Sequence, residues 1–326
     1  MWISYGIQEL NTCNQQIQAG LTIGAFDGVH RGHQALIRWL VKGAHSAGVQ
    51  ALVLTFDPLP QQVLRPEQKG VLSSLQERID LIASLGVDGI IVIPFSRETA
   101  AIPARDFIMR LVHHLHLHGL WVGPDFALGQ AREGNIDFLR RMGKQQGFDV
   151  HVFEDVVLWE GEPVRSSRIR YALEVGALDE ANGCLGRPYR ISGTVNHGDK
   201  RGHNLGFPTA NLKFPEGRML PANGVYICRV YLEHCSFEAI TNVGTRPTFN
   251  NGRPTIEAHI LDFDANIYHK MIKVDFLHRL RPELKFDSPE ALVAQMHQDK
   301  IAARAWLAKT EQNSMATPAA TKLLGA

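Results

Sequence analysis

The chain has 326 residues, and its 34 Lys and Arg against 33 Asp and Glu give a formal net charge of +1 at pH 7. This length favours two domains, and the near-neutral balance gives no electrostatic reason to expect nucleic acid or a membrane as a partner. With 44% hydrophobic and 21% charged residues, the composition is typical of a globular protein and excludes disorder of the whole chain. Four cysteines without a CxxC pair make no disulfide framework. The N-terminus lacks a secretory signal pattern and the apolar runs are too short for a bilayer, so we expect a cytoplasmic protein.

Strand and helix patterns alternate through the first half of the chain. Apolar runs predict buried strands at LTIGAF (21–26), ALVLTF (51–56) and GIIVIPF (89–95), and helical patterns lie between them. Further strand–helix units continue to DVHVFEDVVLW (149–159), and a helix pair is predicted at 166–186. Strands separated by helices pair in parallel, so this half predicts a doubly wound α/β sheet.

The second half has a different pattern from residue 183 onward. Short β-rich segments separated by Gly, Pro, Asn and Asp predict a compact antiparallel barrel, followed by a helix at 288–309. The predicted boundaries are 1–182 for the first domain, 183–310 for the second and 311–326 for a mobile tail.

The segment GAFDGVHRGH (24–33) lies between a predicted strand and a predicted helix, where α/β sheets bind ligands. Its glycines permit close backbone approach, and the helix N-terminus offers free N–H groups to a phosphate. His30 and His33 project on one face and can stabilise charge that develops on phosphorus. Taken alone, the histidine pair also fits a metal pair or a surface position. The Walker A and GxGxxG patterns are absent from this chain.

GAFDGVHRGH resembles the HxGH nucleotidyltransferase motif of bacterial FAD synthetases, and VGPDFALGQAREGN (122–135) and VRSSRIR (164–170) follow in that family's order. The resemblance implies a Rossmann-like FMN adenylyltransferase domain in which Asp125 lies near the flavin phosphate or the metal. It implies that His30 and His33 act in catalysis on the ATP phosphates and that Arg170 grips the triphosphate. The other residues that it assigns to the nucleotide are Gly24, Phe26, Asp27, Gly28, Ser166 and Ser167.

The second candidate site lies in GRPYRISGTVNHGDKRGHNLGFPTANL (186–212). Its glycines, with Lys200 and Arg201, fit a flap that cradles phosphate. Thr209 and Asn211 offer two oxygen ligands at alternate positions, as a hard cation such as Mg²⁺ prefers. Each of these residues alone fits a turn equally well.

GFPTAN (206–211) resembles the signature of riboflavin kinases, and PANGVY (221–226), NVGTRPTF (242–249), IEAHILDF (256–263) and LRPELKF (280–286) follow in family order. The resemblance implies a six-stranded Greek-key barrel with a terminal helix, which transfers the ATP γ-phosphate to the ribityl 5′-hydroxyl. It implies that Thr209 and Asn211 bind Mg²⁺–ATP, that Glu257 is the general base, and that Arg281 and Phe286 close the flavin pocket. Its nucleotide-binding residues are Gly198, Lys200, Gly206, Pro208 and Thr209.

The two resemblances together predict a bifunctional enzyme that makes FMN from riboflavin and then FAD from FMN, with Mg²⁺ as cofactor and ATP as co-substrate. Its expected partners are riboflavin, FMN, FAD and ATP, and a homo-oligomer stays open. Leu59, Ala127, Leu128 and Arg165 differ from the family pattern and motivate an alternative, a riboflavin kinase with a degenerate first domain. A flavin-binding regulator and a transferase acting on a non-flavin phosphate are further alternatives. The histidine run HHLHLHG (113–119) is interpreted as a solvated helix end rather than a metal site.

Overall fold

The computed structural model describes residues 1–6, 18–67, 70–198, 206–245 and 254–316. Its contacts divide the chain into two units. The first consists of Met1–Tyr171, Gly183–Arg187 and Gly217–Met219, and the second of Ala172–Asn182, Pro188–Glu216 and Leu220–Ala326. The predicted domain boundaries stay predictions.

The first unit is built on a six-stranded sheet with the strand order β1-β4-β3-β2-β5-β8, in which all neighbouring strands are parallel. The strands up to β10 are β1 (Trp2–Tyr5), β2 (Ala19–Ile23), β3 (Gln50–Asp57), β4 (Gly89–Pro94), β5 (Leu117–Val122), β6 (Ala127–Leu128), β7 (Gly134–Asn135), β8 (Asp149–Val152), β9 (Leu158–Trp159) and β10 (Glu162–Pro163). The helices up to α8 are α1 (Arg31–Ser46), α2 (Pro60–Leu64), α3 (Leu75–Ala83), α4 (Arg97–Ala100), α5 (Ala104–Leu115), α6 (Ile136–Gln146), α7 (Ser166–Val175) and α8 (Leu178–Leu185).

Both faces of this sheet are covered, because neighbouring strand residues point to opposite sides. Leu52 and Leu54 of β3 belong to a core with α5 and α6. Ala51 and Val53 of the same strand belong to a second core with α1 and α3. The predicted doubly wound sheet is confirmed. Strand β2 has β3 on one side and β5 on the other, so the carboxyl ends of β2 and β5 flank the switch point where such sheets bind ligands.

The second unit contains a closed antiparallel barrel with the strand order β11-β12-β15-β14-β13-β16. Its strands are β11 (Tyr189–Asn196), β12 (Ala210–Lys213), β13 (Gly224–Leu232), β14 (Cys235–Thr245), β15 (Pro254–Ile260) and β16 (Met271–Arg281). The order β16-β13-β14-β15 is a Greek key, because three consecutive strands are followed by a fourth that returns beside the first. The predicted six-stranded Greek-key barrel is confirmed.

A long terminal helix, α9 (Pro289–Ala316), packs on the barrel through Ala303 and Leu307, which share a core with Ile227 of β13. Helix α9 continues past residue 311, where the sequence predicted a mobile tail to begin. A helical pattern across the last turns is weak, because the residues after Lys309 are mostly polar or small. Residues 317–326 of the predicted tail lie outside the described part of the chain.

We expect Leu52→Ala to lower the free energy of unfolding of the first unit by about 2–5 kcal/mol, because the fully buried Leu52 leaves a cavity at the centre of the sheet. Leu158→Ala is the matched control, since Leu158 is 52% exposed and its truncation should change stability by about 0.5 kcal/mol or less. Urea unfolding followed by tryptophan fluorescence measures the free energy of unfolding of both variants. Equal losses in the two variants would contradict the assignment of Leu52 to the core.

Candidate active sites

The turn between β2 and α1 has an unusual backbone. Phe26, Gly28 and Val29 have φ values of 47°, 78° and 40°. Glycine adopts such angles without penalty, but a β-branched residue such as Val29 does so only when neighbouring groups hold it there. The turn therefore depends on the contacts around it.

Three side chains hold this turn in place. The Ser73 hydroxyl accepts a hydrogen bond from the Gly28 N–H at 2.9 Å. The Arg187 guanidinium donates to the carbonyl oxygens of Gly28 at 2.6 Å and Val29 at 3.1 Å. The Gln34 amide also donates to the Val29 carbonyl, at 2.9 Å. These contacts determine the backbone that leads into His30.

Asp27 is a buried anchor of the same turn, with 2% of its surface exposed. Its carboxylate accepts hydrogen bonds from the backbone N–H groups of Leu72 at 2.9 Å and Ser73 at 3.1 Å. It also forms an ion pair with Arg170 and accepts from the Gln61 amide at 3.2 Å. The carboxylate of Asp27 is thus surrounded by protein donors.

The two histidines lie together at the N-terminus of α1. His30 caps the helix, because its Nδ1 accepts a hydrogen bond from the His33 N–H at 3.3 Å. The two imidazole rings stack with centroids 3.6 Å apart. The Nδ1 atom of His33 is buried and has no hydrogen-bond partner among the described residues. The prediction that both histidines share one face is confirmed.

Both imidazoles are neutral at physiological pH. Burial lowers the pKa of His30 to about 4, and the nearby positive charge of Arg187 adds to this effect. Burial also lowers the pKa of His33 well below its ordinary value. Because His30 Nδ1 accepts a hydrogen bond, the neutral ring carries its proton on Nε2, where it can be donated. The pair therefore offers hydrogen-bond donors without a fixed positive charge.

The other predicted residues of this site lie in three places. At the start of α7, the Ser166 hydroxyl donates to the Asp27 carbonyl oxygen at 3.2 Å, and Ser167 is exposed. Gly24 and Asp125 line one cavity of about 550 Å³ at the switch point between β2 and β5. Phe26 packs its ring edge-on against His33, with centroids 5.2 Å apart.

The structure adds residues to this site that the sequence analysis missed. Arg78 is 1% exposed and donates to the Phe56 carbonyl at 2.6 Å. Burial lowers the pKa of its guanidinium, and the negative charges of Asp27 and Asp57 oppose this shift. Arg187 and Ser73 hold the turn. The S-x-x-E capping box at Ser74 and Glu77 was a visible signal for the segment after residue 70, but nothing in the sequence pairs that segment with Asp27.

The second candidate site is a cavity of about 380 Å³ in the barrel unit. Four of the residues predicted for this half of the chain line it together: Thr209, Glu257, Arg281 and Phe286. Its apolar wall includes the side chains of Phe207, Val225, Ile240, Leu284, Leu292 and Met296. A cavity with a large apolar wall and a few polar groups is typical of a small-molecule site.

Strand pairing brings the polar residues of this site together. Asn211 of β12 is directly opposite Glu257 of β15, and Glu257 is opposite Asn242 of β14. Directly opposite residues of antiparallel strands share a face of the sheet, with Cβ atoms about 5 Å apart. Thr209 lies two residues before Asn211. The barrel therefore places hydroxyl, amide and carboxylate oxygens side by side.

This set of oxygen donors fits a divalent metal. A Cβ at Gly198 would collide with the Asn211 side chain, so Gly198 leaves room for that amide. Among the described residues, no cluster of three or more His, Cys, Asp or Glu side chains could hold a metal. Neutral oxygens from Thr209 and Asn211 suit Mg²⁺, which usually takes few protein ligands and completes its shell with water and phosphate.

A second cavity of about 300 Å³ shares Thr209 with the first and also contains Pro208. Tyr268 lines this second cavity and packs against the ring of His197 at 3.8 Å. Gly206 has a φ of 80°, at the point where the described chain resumes. Lys200, predicted to bind the nucleotide, lies outside the described residues.

His259, Asn242 and Asp299 also line the larger cavity, and the sequence analysis missed all three. The His259 Nδ1–H donates to the Pro208 carbonyl at 2.9 Å, and burial lowers the pKa of this histidine. Arg281 forms a bidentate ion pair with Asp299 of α9, with its closest contact at 2.7 Å. The charge of Arg281 is therefore balanced by the protein. Because side chains alternate between the two faces of a strand, His259, two residues after Glu257 in β15, could have been predicted to lie on the same face as Glu257.

The histidine run 113–119 lies where α5 ends and β5 begins, as predicted, and it forms no metal cluster among the described residues. No helix in the described ranges is long and apolar enough to cross a membrane.

Comparison with known proteins gives two family matches. The FAD synthetase family model matches residues 13–168, and the riboflavin kinase family model matches residues 185–307. A protein of Streptococcus pneumoniae described as a macrolide-efflux protein has a crystal structure that aligns with a TM-score of 0.83 and 29% identity, over 94% of this chain and 99% of that chain.

Curated relatives cover both halves at once. The chain is 39% identical to the bifunctional riboflavin kinase/FMN adenylyltransferase of Pseudomonas fluorescens over 87% of this chain and 91% of that protein. It is 36% identical to the protein of the same name from Escherichia coli (strain K12), over 94% of this chain and 98% of that protein. This chain therefore belongs to the family of bifunctional riboflavin kinases/FMN adenylyltransferases.

Proposed function

We propose that the chain makes flavin cofactors in two steps: the barrel unit phosphorylates riboflavin with ATP to give FMN, and the first unit transfers the adenylyl group of a second ATP to FMN to give FAD. The observation that carries this proposal is the presence of both sites in one chain. The histidine turn lies beside a cavity at the switch point of the sheet, and Glu257 lies with Thr209 in a cavity of the barrel.

In the kinase step, Glu257 acts as the general base. Its carboxylate orients the ribityl 5′-hydroxyl of riboflavin and takes the proton as the hydroxyl oxygen bonds to the γ-phosphorus of ATP. The bond between that phosphorus and the bridging oxygen of ADP breaks, so ADP leaves. Both activities use ATP and need a divalent metal, for which we propose Mg²⁺. In the kinase site, Thr209 and Asn211 would hold it. When bound, it offsets negative charge on the β- and γ-phosphates.

We assign one of the two barrel cavities to each substrate of the kinase, riboflavin and ATP. We assign riboflavin to the 380 Å³ cavity, because its apolar wall and the Phe286 ring suit a planar aromatic ring system. We assign ATP to the 300 Å³ cavity that contains Pro208 and Tyr268. Thr209 lines both cavities, so the γ-phosphate can meet the ribityl chain at this residue. Arg281, held by Asp299, shapes the flavin side.

In the transferase step, an oxygen of the FMN phosphate attacks the α-phosphorus of ATP, and pyrophosphate leaves. The substrate phosphate is the nucleophile, so the protein needs to supply only donors and position. His30 and His33 donate hydrogen bonds to the phosphate oxygens on which charge develops. Ser166 and Ser167 bind phosphate at the start of α7. Arg170, fixed by Asp27, borders the triphosphate.

The 550 Å³ cavity fits the flavin of the incoming FMN. Its wall contains the aromatic rings of Phe56, Phe95 and Phe126, and Asp125 lies at the same cavity. Ala127 and Leu128, which differ from the family pattern, add small and apolar surface there. Leu59, which also differs, is 1% exposed and fills the core. The hydrogen bonds that hold the histidine turn come from other side chains, those of Ser73, Gln34 and Arg187, which favours an active first unit over the kinase-only alternative.

We further propose that the enzyme acts in the cytoplasm, where ATP is available. The described cysteines Cys184, Cys228 and Cys235 are all free thiols, which agrees with a reducing compartment. A homo-oligomer stays an open expectation from the sequence.

We expect His30→Ala and His33→Ala to lower FAD formation by about a hundredfold or more, while FMN still accumulates from riboflavin, because each variant removes a preorganised donor. His113→Ala is the control, since His113 lies at the exposed end of α5. Chromatographic separation of FMN and FAD over time measures both products. FAD formation at the rate of the unmodified chain in either variant would contradict the role of the histidines.

We expect Asn211→Ala and Glu257→Gln to reduce FMN formation by about a hundredfold or more, because they remove the metal ligand and the base. Added FMN should still be converted to FAD by both variants. Glu233→Gln is the control, because Glu233 forms an exposed pair with Lys270. Loss of FAD formation from added FMN in folded Asn211 and Glu257 variants would contradict separate sites.

We expect acid to destabilise the first unit through its histidine pair. The folded pKa of His30 is about 4, whereas an unfolded histidine has a pKa near 6.5. Between these values the unfolded chain binds a proton that the folded chain does not, so stability falls as pH falls from about 6.5 to 4. For His30 alone the loss approaches about 3 kcal/mol at pH 4.

The experiment compares urea unfolding of the unmodified chain with that of the double variant His30→Gln, His33→Gln between pH 7.5 and 4.5. The double variant should lose less stability in acid, because it lacks the two neutral imidazoles. Identical pH dependence in the two proteins would show that the histidines are not held neutral in the fold.

A further inference from the structure

Three residues from the second half of the sequence belong to the first unit. Gly217–Met219 lie within the range that the riboflavin kinase family model matches, yet their contacts place them with Met1–Tyr171. We call this segment the strap. It pairs with Val71, because the Val71 N–H donates to the Gly217 carbonyl at 2.8 Å and the Met219 N–H donates to the Val71 carbonyl at 2.9 Å.

The side chain of Arg218 fixes the strap to the beginning of α3. It is 2% exposed and forms an ion pair with Glu77 at 2.8 Å. It also donates to the Val71 carbonyl at 3.2 Å. Glu77 in turn accepts from the Ser74 N–H at 2.9 Å in the capping box of α3. Arg218 therefore holds both ends of the segment 71–74.

The same segment holds the transferase turn from its other side. Leu72 and Ser73 donate their N–H groups to the Asp27 carboxylate, and Ser73 accepts from the Gly28 N–H. One residue earlier, the Gly70 carbonyl accepts a hydrogen bond from Arg170 Nε at 3.1 Å. Residues 70–74 thus lie between the strap and the three residues Asp27, Gly28 and Arg170.

We propose that Arg218 is a positioning residue for adenylyl transfer: through residues 70–74 it fixes Asp27, Gly28 and Arg170, although it belongs to the part of the sequence that matches the riboflavin kinase model. This proposal rests on the proposed function of the first unit. Arg218 is not among the residues that line the cavity assigned to the flavin of FMN. Its loss should therefore lower kcat of the transferase and leave the KM for FMN nearly unchanged.

Three substitutions test this proposal. Arg218→Ala removes the ion pair and the hydrogen bond to Val71. Gly70→Ala keeps Arg218 but adds a Cβ that would collide with the Gly217 carbonyl, so it pushes the strap and segment apart. Arg218→Lys can still form an ion pair with Glu77. Its ammonium group lacks the planar fork of donors by which the guanidinium binds Glu77 and the Val71 carbonyl at the same time.

The measurement is FAD formation by the full chain from FMN, ATP and Mg²⁺, with kcat expressed per FMN-binding site from a fluorescence titration. We expect Arg218→Ala and Gly70→Ala to lower kcat by roughly tenfold to a hundredfold, and Arg218→Lys to lie between them and the unmodified chain. The KM for FMN and the rate of riboflavin phosphorylation should stay within about twofold of the unmodified values. Arg140→Ala is the control, because Arg140 is an exposed residue of α6 that should leave all three values unchanged.

The outcomes distinguish failure of the transferase function from failure of the positioning role of Arg218. If the unmodified chain makes no FAD, the proposed transferase function fails. If it makes FAD and Gly70→Ala and Arg218→Lys retain its kcat, the positioning role is wrong, and this conclusion holds even if Arg218→Ala does not fold. A loss of FMN-binding sites with kcat per site unchanged would show that Arg218 serves stability alone.

Discussion

The backbone of the turn at Phe26–Val29 is the constraint on which the first active site depends. Positive φ angles at Phe26 and Val29 are unfavourable for these side chains, so the turn persists only because other groups hold it. Those groups come from sequence positions far apart: Ser73, Arg170 through Asp27, and Arg187. The first unit accordingly includes Gly183–Arg187 and Gly217–Met219. The histidine motif is thus local in sequence, but its geometry depends on the whole unit.

The two candidate sites present different charges to a substrate. In the first unit, Arg170, Arg187 and Arg78 already bind carboxylate or carbonyl groups of the protein, and burial keeps His30 and His33 neutral. Such a site suits a reaction in which one phosphate attacks another, because the protein then needs to supply only fixed hydrogen-bond donors. The barrel instead places a carboxylate, Glu257, beside neutral oxygens of Thr209 and Asn211. That arrangement suits an alcohol that must lose a proton and a nucleotide that arrives with its metal.

Much of this organisation could be predicted from the sequence, because it is encoded locally. Alternating strand and helix patterns indicate the parallel sheet, and the spacing of His30 and His33 places both on one helix face. Glycines and short β-rich segments indicate the barrel. The roles of Thr209, Asn211 and Glu257 were predicted from family resemblance. The strand register places Asn211 directly opposite Glu257, and this proximity, which supports the predicted roles, could not be read from the spacing of the residues in the sequence.

The contacts that the sequence could not reveal are those between distant segments. From the sequence alone, an arginine such as Arg78 or Arg218 is expected at the surface. Its burial requires a carboxylate or a carbonyl acceptor from another part of the chain, and the sequence does not show that partner. Asp299 was missed because its partner Arg281 belongs to a different element, β16. His259 shares a strand face with Glu257, but its contact with Pro208, 51 residues earlier, has no signal in the sequence. The end of α9 was misplaced because helix ends in polar sequence carry weak signals.

A time course with riboflavin, ATP and Mg²⁺, run beside a reaction that starts from FMN, tests most directly whether both sites of this chain are active. We expect FMN to appear first and FAD second in the riboflavin reaction, and FAD to appear without delay in the FMN reaction. FMN as the sole product of the first reaction, with no FAD in the second, would contradict two active sites and leave a riboflavin kinase joined to an inactive transferase unit.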